Sequence, residues 1–269
     1  AMSLYTNLAI GQYVPGHSIV HRLDPRTKLI ISFAFILIIF LVNNLITFTI
    51  AIAYTLLSLF LTKISVGYVW RGLKPVWLIL FFTFFFHLWF TREGEVIFSL
   101  GWMNIYSEGW LQGVTITLRI LLLVMITSLL TLTTKPLVLT DGLEKLLDPL
   151  KKLRFPVHEF ALMISIALRF IPTLLQETEK IMKAQASRGA SFTQGNLVKR
   201  FFHLLPVLIP LFVSSFQRAE ELALAMEARG YRGGEGRTQL RQLILRKEDY
   251  LALLLSGGIY LALLILRTW

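Results

Sequence analysis

The chain has 269 residues, of which 55% are hydrophobic and 16% are charged, and its mean hydropathy is +0.65. Soluble domains carry about a quarter charged residues, so this composition excludes an ordinary soluble domain and indicates an integral membrane protein. The absence of cysteine excludes disulfides and thiolate metal sites. The formal net charge of +11 is typical of cytoplasmic loops that meet anionic lipid headgroups, and we expect the lipid bilayer, not nucleic acid, as its partner.

Long charge-free stretches predict five membrane-spanning helices, because a span needs roughly 17 to 25 mainly apolar residues. The stretch between Lys28 and Lys63 is too long for one ordinary span, and the Asn43-Asn44 pair in its middle predicts a turn. Pro75 is predicted to open the third span. The first predicted span is short and would thin the bilayer locally. The predicted spans are 29–42, 45–62, about 75–91, about 110–133 and about 250–266.

The segment before the first span carries two further signals. Asp24-Pro25 predicts an N-cap followed by proline at the first helical position. His17 and His21 are four residues apart, a spacing that suits metal ligands, but no helix with carboxylates accompanies them. We therefore expect this segment to anchor the chain at the lipid headgroups and do not expect a metal site.

The basic residues predict the orientation of the chain. With the N-terminus inside, segments 1–28, 63–74 and 134–249 are cytoplasmic and hold 24 of the 27 lysine and arginine residues. The one sizeable outer loop, 92–109, holds three glutamates against a single arginine. The positive-inside rule predicts this asymmetry.

Residues 135–249 are predicted to form a cytoplasmic domain, between four spans in 1–134 and the last span in 250–269. Two apolar runs, 160–175 and 201–217, resemble spans. Placing both in the membrane would export five basic residues, against the positive-inside rule. Three prolines would also break or kink such spans; they are Pro172, Pro206 and Pro210.

We therefore predict two long helices in this domain, about 157–188 and 196–229, with apolar faces that meet the membrane interface or another protein. A shorter helix at about 139–153 precedes them, with Thr140 or Asp141 as its N-cap. The predicted fold is an all-α polytopic membrane protein with a cytoplasmic domain of long crossing helices.

The two long helices end with the same motif. Ala184-Gln185-Ala186-Ser187-Arg188-Gly189 aligns with Ala225-Met226-Glu227-Ala228-Arg229-Gly230 at an offset of 41 residues. A single Arg-Gly pair is typical of a helix end, because arginine complements the helix dipole and glycine adopts the left-handed conformation. Two copies indicate more, since each end presents a charged fork that binds carboxylates or carbonyls bidentately. Paired ends predict paired docking sites on a partner.

Two arginines lie within apolar runs. Arg169 is interpreted as a snorkelling or internally paired side chain. Arg119 lies in the fourth span, where a charge must be paired, face a polar gap or snorkel to the outer interface, and its role stays open between transport and anchoring. No phosphate-binding loop, serine elbow or zinc motif is present. The sequence therefore predicts no catalytic site and no cofactor, and any ATP must be bound by another chain.

Four motifs together resemble the T component (EcfT) of energy-coupling factor transporters, a family of ATP-driven importers. They are the Tyr-x-Pro-Gly-x-Ser opening at 13–18, Leu-Asp-Pro-Arg-x-Lys at 23–28, Leu-Arg-Phe-Ile-Pro at 168–172 and the twin Ala-x-x-x-Arg-Gly ends. The resemblance covers nearly the whole chain. It implies a five-span scaffold in a bacterial or archaeal cell membrane, with a cytoplasmic coupling domain.

The resemblance also implies partners and docking residues. In that family the arginines of the twin motifs insert into grooves of two ABC-type ATPase subunits, and a separate substrate-binding S subunit captures a vitamin or metal ion. By position the docking residues here are Ala186, Ser187, Arg188, Gly189, Ala228, Arg229 and Gly230. ATP-driven closure of the ATPases would move the helix ends and the seat of the S subunit. Similarity favours a shared vitamin system over a dedicated cobalt or biotin system.

Three other functions compete with this interpretation. A secondary transporter needs acidic groups or broken helices near the membrane midplane, but the five predicted spans contain no Asp or Glu. An intramembrane enzyme lacks its catalytic pair. A conventional ABC importer permease usually carries one short coupling helix per chain, whereas this chain has two linked helix ends.

Overall fold

The computed structural model describes residues 13–100, 103–153, 155–190, 197–233 and 243–267. Over these residues the protein is helical apart from one antiparallel β-hairpin and one 3-10 helix, which confirms the predicted all-α fold. The elements are α1 (Ile19–Arg22), α2 (Pro25–Ile39), α3 (Leu45–Thr62), α4 (Val66–Phe90), β1 (Val96–Leu100), β2 (Met103–Tyr106), α5 (Ser107–Thr133), α6 (Pro136–Leu147), the 3-10 helix (Asp148–Leu153), α7 (Val157–Ser187), α8 (Leu197–Ala228) and α9 (Lys247–Leu266).

The chain forms two compact units. The core unit consists of the described residues in 11–145 and 243–269, and contains α1 to α5 and α9. The hairpin unit consists of the described residues in 146–242, and contains α7 and α8.

The protein is a multi-pass membrane protein. Five helices in the described ranges are long and apolar enough to cross a membrane. Four of them match predicted spans, namely α3, α4, α5 and α9. The fifth is α7, which the sequence analysis assigns to the cytoplasmic domain; its length and composition alone suit either place. The predicted first span forms α2, whose 15 residues rise about 22 Å, less than the roughly 30 Å hydrocarbon core of a bilayer.

Helix α2 lies at the centre of the core unit. Phe35 and Ile39 are each 1% exposed, and they pack among buried side chains of α3, α4, α5 and α9. The Phe35 ring stacks on Tyr54 with ring centroids 5.7 Å apart. The Tyr260 hydroxyl donates a hydrogen bond to the Ile31 carbonyl at 2.9 Å and lies 3.1 Å from the Tyr54 hydroxyl. These contacts hold the short helix between two longer ones.

A buried polar cluster joins the beginnings of α2 and α9. Asp24 caps α2 by accepting a hydrogen bond from the Arg26 backbone N–H at 2.9 Å, which confirms the predicted N-cap. Asp249 is 1% exposed and accepts hydrogen bonds from the backbone N–H groups of Asp24 at 2.7 Å and Arg246 at 2.8 Å. Arg26 Nη2 donates to the Leu243 carbonyl at 2.8 Å. The cluster therefore fixes where the chain returns to the core unit after the hairpin unit.

Hydrogen bonds of His21 hold the segment before α2 together. The His21 Nε2–H donates to the Val14 carbonyl at 3.1 Å, and its Nδ1 accepts from the Ser18 hydroxyl at 2.6 Å. Burial lowers the pKa of His21 below its ordinary value and favours this neutral ring. Gly16 is required here, because an added Cβ would lie 2.7 Å from His21 Cε1. No group of three potential metal ligands occurs in the described residues.

Arg119 binds the turn between α2 and α3. Its Nη2 donates to the Val42 carbonyl at 2.8 Å and lies 3.4 Å from Asn43 Oδ1. Val42 follows the end of α2, where carbonyl groups lack partners within the helix. Arg119 therefore holds the turn that follows α2, a contact that is consistent with an anchoring role.

Two predicted helix starts were wrong. Pro75 lies inside α4, which begins nine residues earlier at Val66, directly after Ser65 at the N-cap position. The helix predicted at 139–153 begins at Pro136, so neither Thr140 nor Asp141 is its N-cap; the Thr140 hydroxyl donates to the Pro136 carbonyl at 3.1 Å. Its last part, Asp148–Leu153, is the 3-10 helix.

Replacing Asp249 by asparagine should destabilise the core unit by about 1–3 kcal/mol, because the asparagine amide leaves one of two buried backbone N–H groups without an acceptor. The midpoint of thermal unfolding in detergent measures this loss. Glu248→Gln is the matched control, because Glu248 is the exposed neighbour of Asp249. Equal midpoints for the two variants would contradict the role assigned to Asp249.

Candidate docking site at two helix ends

Helices α7 and α8 are long and continuous, although each contains proline. Pro172 lies inside α7, and Pro206 and Pro210 lie inside α8. The prolines therefore do not break these helices, although breaks or kinks were considered from the sequence. Proline at position 210 has no N–H, which leaves the Pro206 carbonyl without its helical partner. Gln185 Nε2 of α7 donates to that carbonyl at 3.4 Å.

The first predicted docking end closes α7 with a Schellman turn. The Gly189 N–H donates to the Ala186 carbonyl at 3.0 Å, and the Ala190 N–H donates to the Gln185 carbonyl at 3.0 Å. Gly189 has φ +88°, the left-handed conformation that other residues rarely adopt. Arg188 occupies the C-cap position.

The second predicted docking end closes α8 in the same way. The Gly230 N–H donates to the Glu227 carbonyl at 2.8 Å, and the Tyr231 N–H donates to the Met226 carbonyl at 3.0 Å. Gly230 has φ +74°. Each bond has its counterpart in α7 at the offset of 41 residues, so the sequence repeat is a repeat of backbone geometry.

The two ends also match in exposure. In both, the residue three positions before the arginine is partly buried, and the next four residues are exposed. Arg188 and Arg229 form no ion pair with any residue that the structure describes. An added Cβ on Gly189 or Gly230 would meet nothing within 4 Å. Each end therefore presents a charged side chain on an open surface.

The seven predicted docking residues form two separate surfaces. Contacts between Glu177 and Ser214, and between Gln185 and Pro206, show that α7 and α8 are antiparallel. Arg188 lies 11 residues beyond Glu177, and Arg229 lies 11 residues beyond Arg218, so each end is about 16 Å along its helix from the contact of Glu177 with Arg218. The two arginines thus lie at opposite ends of the hairpin unit, up to about 33 Å apart.

An open apolar groove follows one side of α8. It corresponds to the apolar face that the sequence predicts. The side chains that line it are Leu205, Leu208, Ile209, Phe212, Val213 and Phe216.

Arg169, on α7, is exposed and has no ion-pair partner in the described ranges, which favours the snorkelling interpretation over internal pairing.

The sequence analysis missed the contact of Glu177 with Arg218. Arg218 Nη2 lies 2.7 Å from Glu177 Oε2, and the Ser214 hydroxyl donates to Glu177 Oε1 at 2.6 Å. The offset of 41 residues that aligns the helix ends also aligns Glu177 with Arg218. Extending the repeat backwards from the arginines would have found this pair.

Replacing Gly189 or Gly230 by alanine should cost about 1–2 kcal/mol locally, because alanine is strained at positive φ even where space is open. Amide hydrogen exchange of the last helical turn measures this cost, and we expect about a tenfold acceleration. Gly257→Ala is the matched control, since Gly257 lies inside α9 with open space around it and should gain helix stability. Unchanged exchange in the Gly189→Ala and Gly230→Ala variants would contradict the strain.

Comparison with known proteins agrees with this architecture. The model of the CbiQ family, described as cobalt transport protein, matches residues 16–240. The chain is 53% identical over 250 residues to the energy-coupling factor transporter transmembrane protein EcfT of Brevibacillus brevis, covering 93% of this chain and 94% of the relative. It is 53% identical over 243 residues to that of Bacillus subtilis, covering 90% and 92%. The relative from Acidaminococcus fermentans is 48% identical over 264 residues, covering 98% of both chains. The chain therefore belongs to the CbiQ family and to the transmembrane T components of energy-coupling factor transporters.

Proposed function

We propose that this chain is the non-catalytic scaffold that couples two ABC-type ATPase subunits to a separate substrate-binding membrane subunit. The observation that carries this proposal is the pair of identical, exposed Arg-Gly helix ends at opposite ends of the hairpin unit. A scaffold for a dimer of similar ATPases needs two similar docking surfaces that are separated from each other. In this chain the ends of α7 and α8 supply both surfaces.

The helix ends suit docking into a groove on another protein. Each Schellman turn satisfies two of the last carbonyl groups with backbone N–H groups and uses no side chain, so Arg188 and Arg229 are free to bind a partner. A guanidinium group donates bidentately to carboxylates or carbonyls. Ala186, Ser187 and Ala228 are small and exposed, so a partner surface can approach the backbone closely.

The apolar groove of α8 is the proposed seat of the substrate-binding subunit. Phe212 is 64% exposed and Phe216 is 68% exposed, and exposed aromatic side chains of this size are typical of an interface. The cargo is a vitamin or a metal ion; the description of the matching family names cobalt. When the ATPases close on ATP, the helix ends move with them, and the groove moves with the helices.

We place the N-terminus and residues 135–249 in the cytoplasm of a bacterial or archaeal cell, as the distribution of basic residues predicts. The ATPases bind ATP in the cytoplasm, so the docking ends must be there too. The relatives do not favour a secondary transporter or a conventional importer permease, since they are T components by name.

Reversing the charge at both ends should release the ATPases. We expect Arg188→Glu and Arg229→Glu each to weaken ATPase binding at least about 30-fold, because a buried interfacial arginine is typically worth 2 kcal/mol or more. The double variant should retain neither ATPase. Co-purification of the ATPases with the tagged chain measures binding, and uptake of cobalt(II) and of radiolabelled vitamins measures transport.

Arg232→Glu is the control for a change of charge, since Arg232 is exposed and lies just beyond the second helix end. It should co-purify with both ATPases. A double variant of Arg188 and Arg229 that retains both ATPases and normal uptake would refute the proposed docking role.

The cytoplasmic placement is tested by single cysteines, because the chain has none of its own. A membrane-impermeant maleimide applied to intact cells should label Glu93→Cys in the predicted outer loop. Lys183→Cys and Glu227→Cys, which are exposed near the two helix ends, should be labelled only after the membrane is permeabilised. Labelling of either one in intact cells would overturn the orientation and place α7 or α8 across the membrane.

A further inference from the structure

We propose that Glu177 and Arg218 are positioning residues that fix the two docking ends at equal distance from one pivot. The proposal rests on the proposed function, in which the ends bind the two ATPases. It assigns to the contact between α7 and α8 the task of making the two ends move as one body.

The first step is the geometry of the contact. Arg218 Nη2 lies 2.7 Å from Glu177 Oε2, and this contact is an ion pair without the alignment of a hydrogen bond. The Ser214 hydroxyl donates a directed hydrogen bond to Glu177 Oε1 at 2.6 Å. One carboxylate on α7 is therefore held by two side chains that are one turn apart on α8. Such a contact resists both sliding and rotation of the helices.

The second step is the position of the pair along the helices. Glu177 precedes Arg188 by 11 residues, and Arg218 precedes Arg229 by 11 residues. At 1.5 Å per residue, both docking ends lie about 16 Å from the ion pair. The same offset also aligns Gln176 with Gln217. The pivot thus lies at equivalent positions in the two copies of the repeat.

The third step is the environment of the pair. The side chain of Glu177 is 22% exposed and that of Arg218 is 36% exposed, so solvent screens the pair only in part. By contrast, the ion pair of Lys183 with Glu179 lies within one helix, and its lysine side chain is 70% exposed. The Glu179 side chain is 20% exposed, much like that of Glu177, but a pair within one helix cannot control the angle between two helices. This difference supplies a matched control.

The consequence for coupling is mechanical. An antiparallel pair of helices fixed at a central point acts as a lever with equal arms, so displacement of one end by an ATPase is transmitted to the other. Without the pivot the ends would still bind, since each closes with its own backbone bonds. Loss of the pivot should therefore loosen the relation between the ends while leaving each docking contact intact.

Distances between spin labels test this directly. Cysteines introduced at Ala184 and Ala225, both exposed and each seven residues beyond the pivot, carry the labels in a chain that has no other cysteine. The full-length chain is measured in lipid nanodiscs, with and without the ATPases. We expect one narrow distance distribution, which Glu177→Ala or Arg218→Ala broadens at least about twofold.

Exchange of the two charges provides the specific readout. The double variant Glu177→Arg with Arg218→Glu should restore the narrow distribution, and Glu179→Ala should leave it unchanged. All these variants should co-purify with both ATPases. Unaltered distributions in the single variants, failure of the charge exchange to restore the width, or loss of ATPases from the single variants would each overturn the pivot.

The two proposals fail in different ways. If the ATPases remain bound after charge reversal at Arg188 and Arg229, the docking role is wrong, yet the label distances in the chain alone still report on the pivot. If those changes release the ATPases but the width of the distance distribution is the same in the Glu177 and Arg218 variants, the pivot is wrong and the docking role stands.

Discussion

Every α-helix leaves its last four carbonyl groups without partners inside the helix, and the way these groups are satisfied decides what the helix end can do. In α7 and α8 the backbone itself satisfies two of these carbonyl groups, through a turn that needs a residue in the left-handed conformation. The glycines at 189 and 230 make that turn without strain. Because these turns use no side chain for capping, Arg188 and Arg229, which directly precede the glycines, are available to bind a partner.

A second constraint follows from connecting two such helices. A short connection between consecutive helices makes them antiparallel, so their C-terminal ends point in opposite directions. One chain thereby presents two equivalent surfaces, separated by up to the summed length of the two 11-residue segments between the contact of Glu177 with Arg218 and the two arginines, about 33 Å. A single helix would present one such surface, and two parallel helices would present their two surfaces side by side. The antiparallel arrangement suits a partner with two separate binding grooves.

Local patterns were sufficient to predict much of this structure. The apolar runs gave α3, α5 and α9 nearly to the residue, and the Arg-Gly repeat gave both helix ends. Pro75 was misleading because proline suits a helix start, yet a long apolar helix also tolerates it in its interior. The repeat places Glu177 and Arg218 at equivalent positions and so offers them as a candidate pair, but it does not show that the two helices face each other there, so their contact was not predicted. The hairpin of β1 and β2 was not predicted, because the apolar residues of its segment show no clear alternation with polar residues.

In the core unit, side chains donate hydrogen bonds to backbone carbonyl groups at or just beyond helix ends. Arg119 donates to the carbonyl of Val42 after α2, and Lys28 Nζ, at the other end of α2, donates to the carbonyl of Thr133 at 3.1 Å. The first contact joins α5 to the turn that follows α2, and the second joins α2 to the end of α5. On α5 the two contacts are 14 residues apart, about 21 Å. Two long cationic side chains thus hold both ends of a span that is shorter than the hydrocarbon core, whereas the Schellman turns at the ends of α7 and α8 use backbone N–H groups as donors.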